Sequence, residues 1–336
     1  MAWLDNARIV AMVAVVFVHS AARVSNGTHV GADEWWIAMV FGSSVRWCVP
    51  VFVMISGALL LDPHKTEDLG TFYKKRLSRL LVPILFWSVF FLLWAALEGV
   101  LRDEPLLLTD VARSLAAGQP HYHMWFLYMI ATLYLLVPFF RRVVANSSRS
   151  ELTVLVVLCF VLAAINAVVA KLSTPGPRLF VNEFLQYIPY FFLGYLIRTD
   201  DRSRSKLMLW SVAIASFALT VIGCYGLAIR SDFATGRYFY SYLSVTVIPM
   251  SISVMYLLKS WTKPLGGASF ARQLADLTLG MYLIHPIVLE TFQFLGYGQR
   301  SFYAAYSIPI LALVALSLSL LAAWVVRKTP YLRRTI

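Results

Sequence analysis

The sequence predicts an all-α, polytopic integral membrane protein with about ten transmembrane helices, and three observations carry that prediction. Of its 336 residues, 60% are hydrophobic and 14% are charged, whereas a soluble domain carries about 25% charged residues. Apolar runs near the ~20 residues that a spanning helix needs recur along the whole chain. Basic residues lie between those runs rather than in one patch, so the net charge of +12 reads as membrane orientation and not as a nucleic-acid surface.

The first run, 7–24, follows Asp5 and Arg8. It is too long for the apolar stretch of a cleavable signal and lacks a small-residue cleavage site, so it is expected to stay as a signal anchor. The second, 35–61, contains Arg46 and Pro50 and is expected to kink at the proline. Next come 77–100, behind the basic stretch "YKKRLSRLLVP", and 122–140, which opens on "HYHMWFL". Runs follow at 152–170, at 183–198 (short, with Gln186 and Pro189), at 207–229 and at 239–260. The last two, 273–296 and 304–326, leave ten residues, "RKTPYLRRTI", beyond them, and a single membrane domain over 1–336 is expected. No internal repeat stands out, which disfavours the repeat-built transporters. Cys48, Cys159 and Cys224 all fall inside apolar runs and fit packing rather than a disulfide or a metal site.

An even number of spans puts both termini on one side. That side gathers Arg8, the group from Lys65 to Arg79, Arg141, Arg142, Arg149, the group from Arg198 to Lys206, and the basic residues after 258 and 326. The other side holds Arg23, Arg102, Arg113, Lys171, Arg178, Arg230, Arg237 and Arg300. The denser side is expected to be cytoplasmic.

Ionisable side chains inside a span are costly and are functional candidates by default. Arg8 and His19 are eleven residues apart. That spacing is three helical turns to within ~20° and a rise of ~16 Å, so the two share one stripe of the helix. Arg46 enters from the opposite side to a similar depth, about 16 Å. It needs an anionic or carbonyl partner that its neighbours do not offer. Arg76 and Arg79 project from one helix face. With Lys74 and Lys75 at the start of a helix, they suit a phosphate. His121 and His123 lie at the outer end of the fourth run, beside Trp125 and Phe126, where aromatic belt residues are usual. Tyr282 and His285 are three apart in the ninth, with His285 about 18 Å in. Glu290 follows, to orient His285 or to serve as an acid on the outer side. The structural alternatives are interhelical hydrogen bonds from the histidines and plain topological anchoring by the basic loop.

The order Arg8-x10-His19, "VPVFVMISG", Arg76-x-x-Arg79, "WFL" and "LGMYLIH" resembles the acyltransferase-3 family of bacterial membrane O-acyltransferases, over residues 3 to 290. Without an appended hydrolase-like domain, the chain is most similar to the sugar O-acetyltransferase type. It departs from the family pattern at Ile9, often Gly, and at Ala58, often aromatic. The resemblance implies a bacterial inner-membrane enzyme that takes acetyl-CoA from the cytoplasm, has a glycan or glycolipid hydroxyl as acceptor, and needs no metal. It further implies His19 as the family histidine with Arg8 as partner, Arg46 as the intramembrane arginine, and Arg76 and Arg79, with Lys75, as the nucleotide contacts.

On that basis His19 is expected to act as general base on the acceptor hydroxyl or to carry the acetyl group itself, and Arg46 to stabilise the oxyanion. Tyr282, His285 and His123 are further candidates near the acceptor. A transporter or flippase for an anionic or glycan solute is the main alternative, since intramembrane His and Arg serve solute sites equally well. A sensor or assembly protein, with polar residues that lock helix contacts, is the second.

Overall fold

All ten apolar runs are wholly or largely helical in the computed structural model, which describes residues 1–336 except 66, 102, 173–179, 299 and 300; no strand occurs among the described residues. In chain order the helices are α1 (Ala2–Ser25), α2 (Asp33–Ser44), α3 (Cys48–Leu60), α4 (Leu69–Leu101), α5 (Leu108–Ala116), α6 (Trp125–Ala145), α7 (Arg149–Leu172), α8 (Phe180–Arg198), α9 (Lys206–Ala228), α10 (Phe233–Gly236), α11 (Val247–Lys259), α12 (Ala268–Phe294) and α13 (Ala304–Lys328). Among the described residues, seven stretches are long and apolar enough to cross a membrane, with α2 and α3 counted together as one. The protein is a multi-pass membrane protein.

Its polarity is inverted relative to a soluble fold. Leu85, Val89, Leu93 and Leu97 of α4, and Leu158, Val161, Leu162 and Ile165 of α7, are exposed at helical spacing, while Asn6, Ser20, His123, Ser251 and His285 are buried. Apolar rows facing outward suit hydrocarbon, and the polar side chains are gathered in the interior. Helix α1 is the central pillar and packs against α2, α3, α11, α12 and α13.

Three runs differ from the sequence expectation. Run 35–61 is broken into α2 and α3 by a turn at Val45–Trp47, so Arg46 sits in a helix break rather than within a helix. Pro50 falls in the first turn of α3, where a missing N–H costs nothing, and the break precedes it. Run 239–260 is helical mainly from Val247, after a series of turns that carry Tyr240 and Tyr242. Helix α4 starts at Leu69, so Arg76 lies ~10 Å beyond the helix start. Asp68 already accepts from the Thr71 N–H at that terminus (2.9 Å), which removes the helix end from any phosphate site around Arg76. Of the basic residues used to orient the chain, Arg102, Arg178 and Arg300 lie outside the described residues.

Helices α3 and α8 are in backbone contact through a reciprocal pair of glycines. A Cβ on Gly57 would lie 1.8 Å from the Phe191 carbonyl oxygen, and one on Gly194 would lie 1.9 Å from that of Met54. Only glycine permits this approach. The open carbonyls at the end of α3 are then closed by cations: Arg198 donates to the Ala58 oxygen (2.6 Å), Lys65 to Leu59 (2.7 Å) and Arg141 to Leu60 (2.7 Å). Beyond α8, burial opposes the charge of Asp200. Hydrogen bonds from Arg204, Tyr256 and the Arg202 N–H outweigh it and hold that carboxyl down at about 2. Many basic residues at this end of the bundle are thus structural.

Candidate active site

Arg8 of α1, Arg76 and Arg79 of α4 and Lys65 of the preceding loop line one cavity of about 520 Å³ at the basic end of the bundle. The three arginines are loosely held, whereas the Lys65 ammonium already donates to the Leu59 carbonyl (2.7 Å). Arg8 has a single 3.9 Å contact with Asp5, Arg76 keeps a buried Nε with no partner, and Arg79 has no ion pair among the described residues. The cavity also receives Asp276, but Arg327 pairs with that carboxylate at 3.3 Å. Lys75 does not line it; its ammonium turns to Glu67 (3.0 Å). Lys65, which the sequence reading did not single out, takes that place because the loop folds back over the end of α3.

Apolar walls from α3, α6 and α12 carry the cavity inward to Phe126 and Tyr282. Those two side chains also line a second void of about 20 Å³, together with His19, His123, Cys48, Trp125 and Tyr242. One aromatic partition therefore separates the basic cavity from His19. The His19 ring lies 5.0 Å from the Tyr122 ring and 5.2 Å from His285, centroid to centroid. His285 is fully buried, its Nδ1 is 3.2 Å from the Met281 carbonyl, and its Nε2 is unpartnered. His123 is buried beside Tyr282 (ring centroids 5.1 Å), whose hydroxyl donates to the His123 carbonyl and fixes the turn before α6.

Arg46 takes its place from the break between α2 and α3. Its guanidinium is sandwiched between the rings of Tyr240 (4.4 Å) and Tyr242 (4.2 Å), and Nε is buried without a hydrogen bond. Stacking on two rings stabilises the cation and leaves its N–H donors for a ligand. Since Tyr242 also faces the His19 void, Arg46 stands one ring away from it. Among the described residues no carboxylate pairs with it.

The sequence reading did not assemble the cluster at the opposite end. Glu290 of α12 accepts from Arg23 of α1 (2.9 Å), from Trp94 of α4 (3.0 Å) and at 3.1 Å from His121 Nε2. His121 Nδ1 in turn meets His123 Nδ1 at 2.8 Å. Arg23 also donates to Gln293. Glu290 therefore engages His121 rather than His285. One signal for this was present: His19 and Arg23 are four apart on α1 and share its face.

Compared with known families, the chain matches the acyltransferase domain of the acyltransferase-3 family over residues 1–328. The nodulation protein NolL of Sinorhizobium fredii (strain NBRC 101917 / NGR234) is 23% identical over 244 residues, which are 72% of this chain and 60% of that protein. The chain thus spans less than two thirds of that relative's length. No solved structure matches it. The family match takes in every helix from α1 to α13 and each residue of the two adjoining cavities: the chain belongs to the acyltransferase-3 family.

Proposed function

We propose that this protein is a membrane O-acetyltransferase that moves an acetyl group from acetyl-CoA to a hydroxyl of a cell-surface glycan or of its lipid-linked precursor. In this reading it is a single domain over 1–336 in the bacterial inner membrane, with both termini and the basic cavity facing the cytoplasm. The observation that carries the reading is the shared partition: Phe126 and Tyr282 bound both the cavity of Arg8, Arg76 and Arg79 and the void of His19. Membership of an acyltransferase family weighs against the transporter and assembly-protein readings.

The residues present suit the donor. A volume of about 520 Å³ is in the usual range for ligand pockets. Among the described residues the Arg76 Nε is unpartnered and Arg79 has no ion pair, and these two supply charge-assisted donors for phosphate. The apolar walls beyond them suit a pantetheine arm and exclude water. Arg8 holds the same cavity from α1 and sets its inner direction toward the partition. At the far side of Tyr282, His19 is the group at the point of transfer, where it receives the acceptor's proton or the acetyl group itself. Arg46, fixed between two rings, stabilises the negative oxygen that forms when the carbonyl is attacked.

The test uses membranes that contain the wild type or His19→Ala at matched levels, supplied with acetyl-CoA labelled in the acetyl group. Label should enter glycolipid or polysaccharide with the wild type and be lost with the variant. Equal incorporation by both proteins contradicts the reading.

A further inference from the structure

Two of the three side chains that hydrogen-bond Glu290 are fixed donors, and with the neighbouring histidine contact they define one arrangement of protons. Arg23 and Trp94 can only donate, so Glu290 stands as the acceptor and His121 Nε2 must carry a hydrogen toward it. A neutral His121 then has a bare Nδ1. The 2.8 Å contact between the two Nδ1 atoms requires a hydrogen, which His123 Nδ1 supplies. That leaves His123 Nε2 as a lone pair. It is buried, has no hydrogen-bond partner, and belongs to a ring that lines the same void as His19. His19 has ring contacts only, with no such chain behind it among the described residues.

On the acetyl-transfer reading above, we infer that His123 is the base that takes the proton of the acceptor hydroxyl, that His121 and Glu290 position it for that task, and that His19 carries the acetyl group between donor and acceptor. In the first half-reaction a His19 nitrogen attacks the thioester carbonyl, the carbon–nitrogen bond forms and the carbon–sulfur bond breaks. The proton on the other His19 nitrogen leaves with the sulfur as thiol. In the second, the acceptor oxygen attacks the acyl carbon while its proton moves to His123 Nε2. The carbon–nitrogen bond to His19 breaks, and the proton passes from His123 to His19, which restores both rings. Glu290 offsets the positive charge that His123 and His121 share while the proton is held, as an orienting carboxylate does behind a catalytic imidazole. The arrangement also assigns the entry sides. The donor comes through the cavity of Arg76 and Arg79, and the acceptor from the end that carries Arg23 and Glu290.

The experiment compares two reactions of the purified protein: exchange of labelled CoA into unlabelled acetyl-CoA without acceptor, and acetyl transfer to a supplied alcohol, either ethanol or the more acidic trifluoroethanol. The wild type should do both. His123→Gln should keep the exchange within about two-fold and lose ethanol transfer by about 100-fold, with a smaller loss for trifluoroethanol, because an acidic hydroxyl depends less on a base. Glu290→Gln should show the same split with about a ten-fold loss, and His19→Ala should lose both reactions. Exchange and transfer falling together in both Gln variants, at retained CoA binding, overturns the role of His123. Wild-type transfer without any exchange overturns the carrier role of His19 and leaves the acetyltransferase reading standing. If the wild type transfers to no acceptor and binds no CoA, it is the function that fails.

Discussion

At the basic end of the bundle, Arg8 reaches only a 3.9 Å contact with Asp5 and Arg76 buries an Nε with no partner. At the other end Arg23, Trp94 and His121 all converge on Glu290 at 2.9 to 3.1 Å. The same fold thus keeps one set of cations unsatisfied around a cavity of about 520 Å³ and saturates another around a carboxylate. Unsatisfied buried donors are costly unless a ligand supplies the acceptor. A saturated network is rigid and serves to orient what it touches. The contrast teaches that positive charge alone identifies neither a binding site nor a topological anchor. Arg198 and Lys259 are as basic as Arg76, yet they are consumed by backbone carbonyls at helix ends.

Changes at the point between the two ends should have the largest effect. His19→Ala should reduce acetyl transfer by about 1,000-fold, within the range for loss of a group that handles proton or acyl transfer. CoA binding should be unchanged. Arg46→Ala should lower the rate of transfer by about 100-fold, the usual cost of an oxyanion donor. Lost acetyl-CoA binding in Arg46→Ala would remove it from that role.

Within the basic cavity, Arg76→Ala and Arg79→Ala should each weaken CoA about ten-fold, as charge-assisted hydrogen bonds to phosphate do. Lys75→Ala should leave binding almost unaltered, since its partner is Glu67. Equilibrium binding in detergent reads all three, and a Lys75 effect equal to that of Arg76 would erase the distinction between cavity-facing and loop-facing cations.

The smallest functional effect belongs to a saturated cluster outside both sites. Asp200→Asn removes the partner of Arg204, Arg149 and Tyr256 and should cost about 3 kcal/mol of stability. Because the folded carboxyl lies at about 2, below its ordinary 3.8, the wild type gains this stability above that ordinary value and loses it as pH falls toward 2. Thermal unfolding of the variant should show a flatter pH response across that window.

Much of this fold was legible in the sequence, because apolar run length and loop charge are local properties. Each of the ten runs is helical over most of its length, in order. The break at Val45–Trp47 was not, since Pro50 suggested a kink further along and nothing local marks the place where Arg46 slots between Tyr240 and Tyr242. Of the candidate site residues, the structure gathers Arg8, Arg76, Arg79 and Tyr282 on one cavity and His19, His123 and Tyr282 on the next. It leaves Lys75 outside and brings in Lys65. Loop residues separated by a helix end cannot be ranked by spacing. Nor can a cluster such as Arg23, His121 and Glu290, drawn from three elements, be seen without the packing that joins them.

In the proposed reaction the basic cavity holds the donor while His19 works beyond the partition. This division is tested most directly by measuring CoA binding in the wild type, in His19→Ala and in the double variant Arg76→Ala, Arg79→Ala. Wild-type affinity is expected in His19→Ala, and in the double variant a loss larger than the about ten-fold of either single change. Undiminished binding in the double variant would contradict the division.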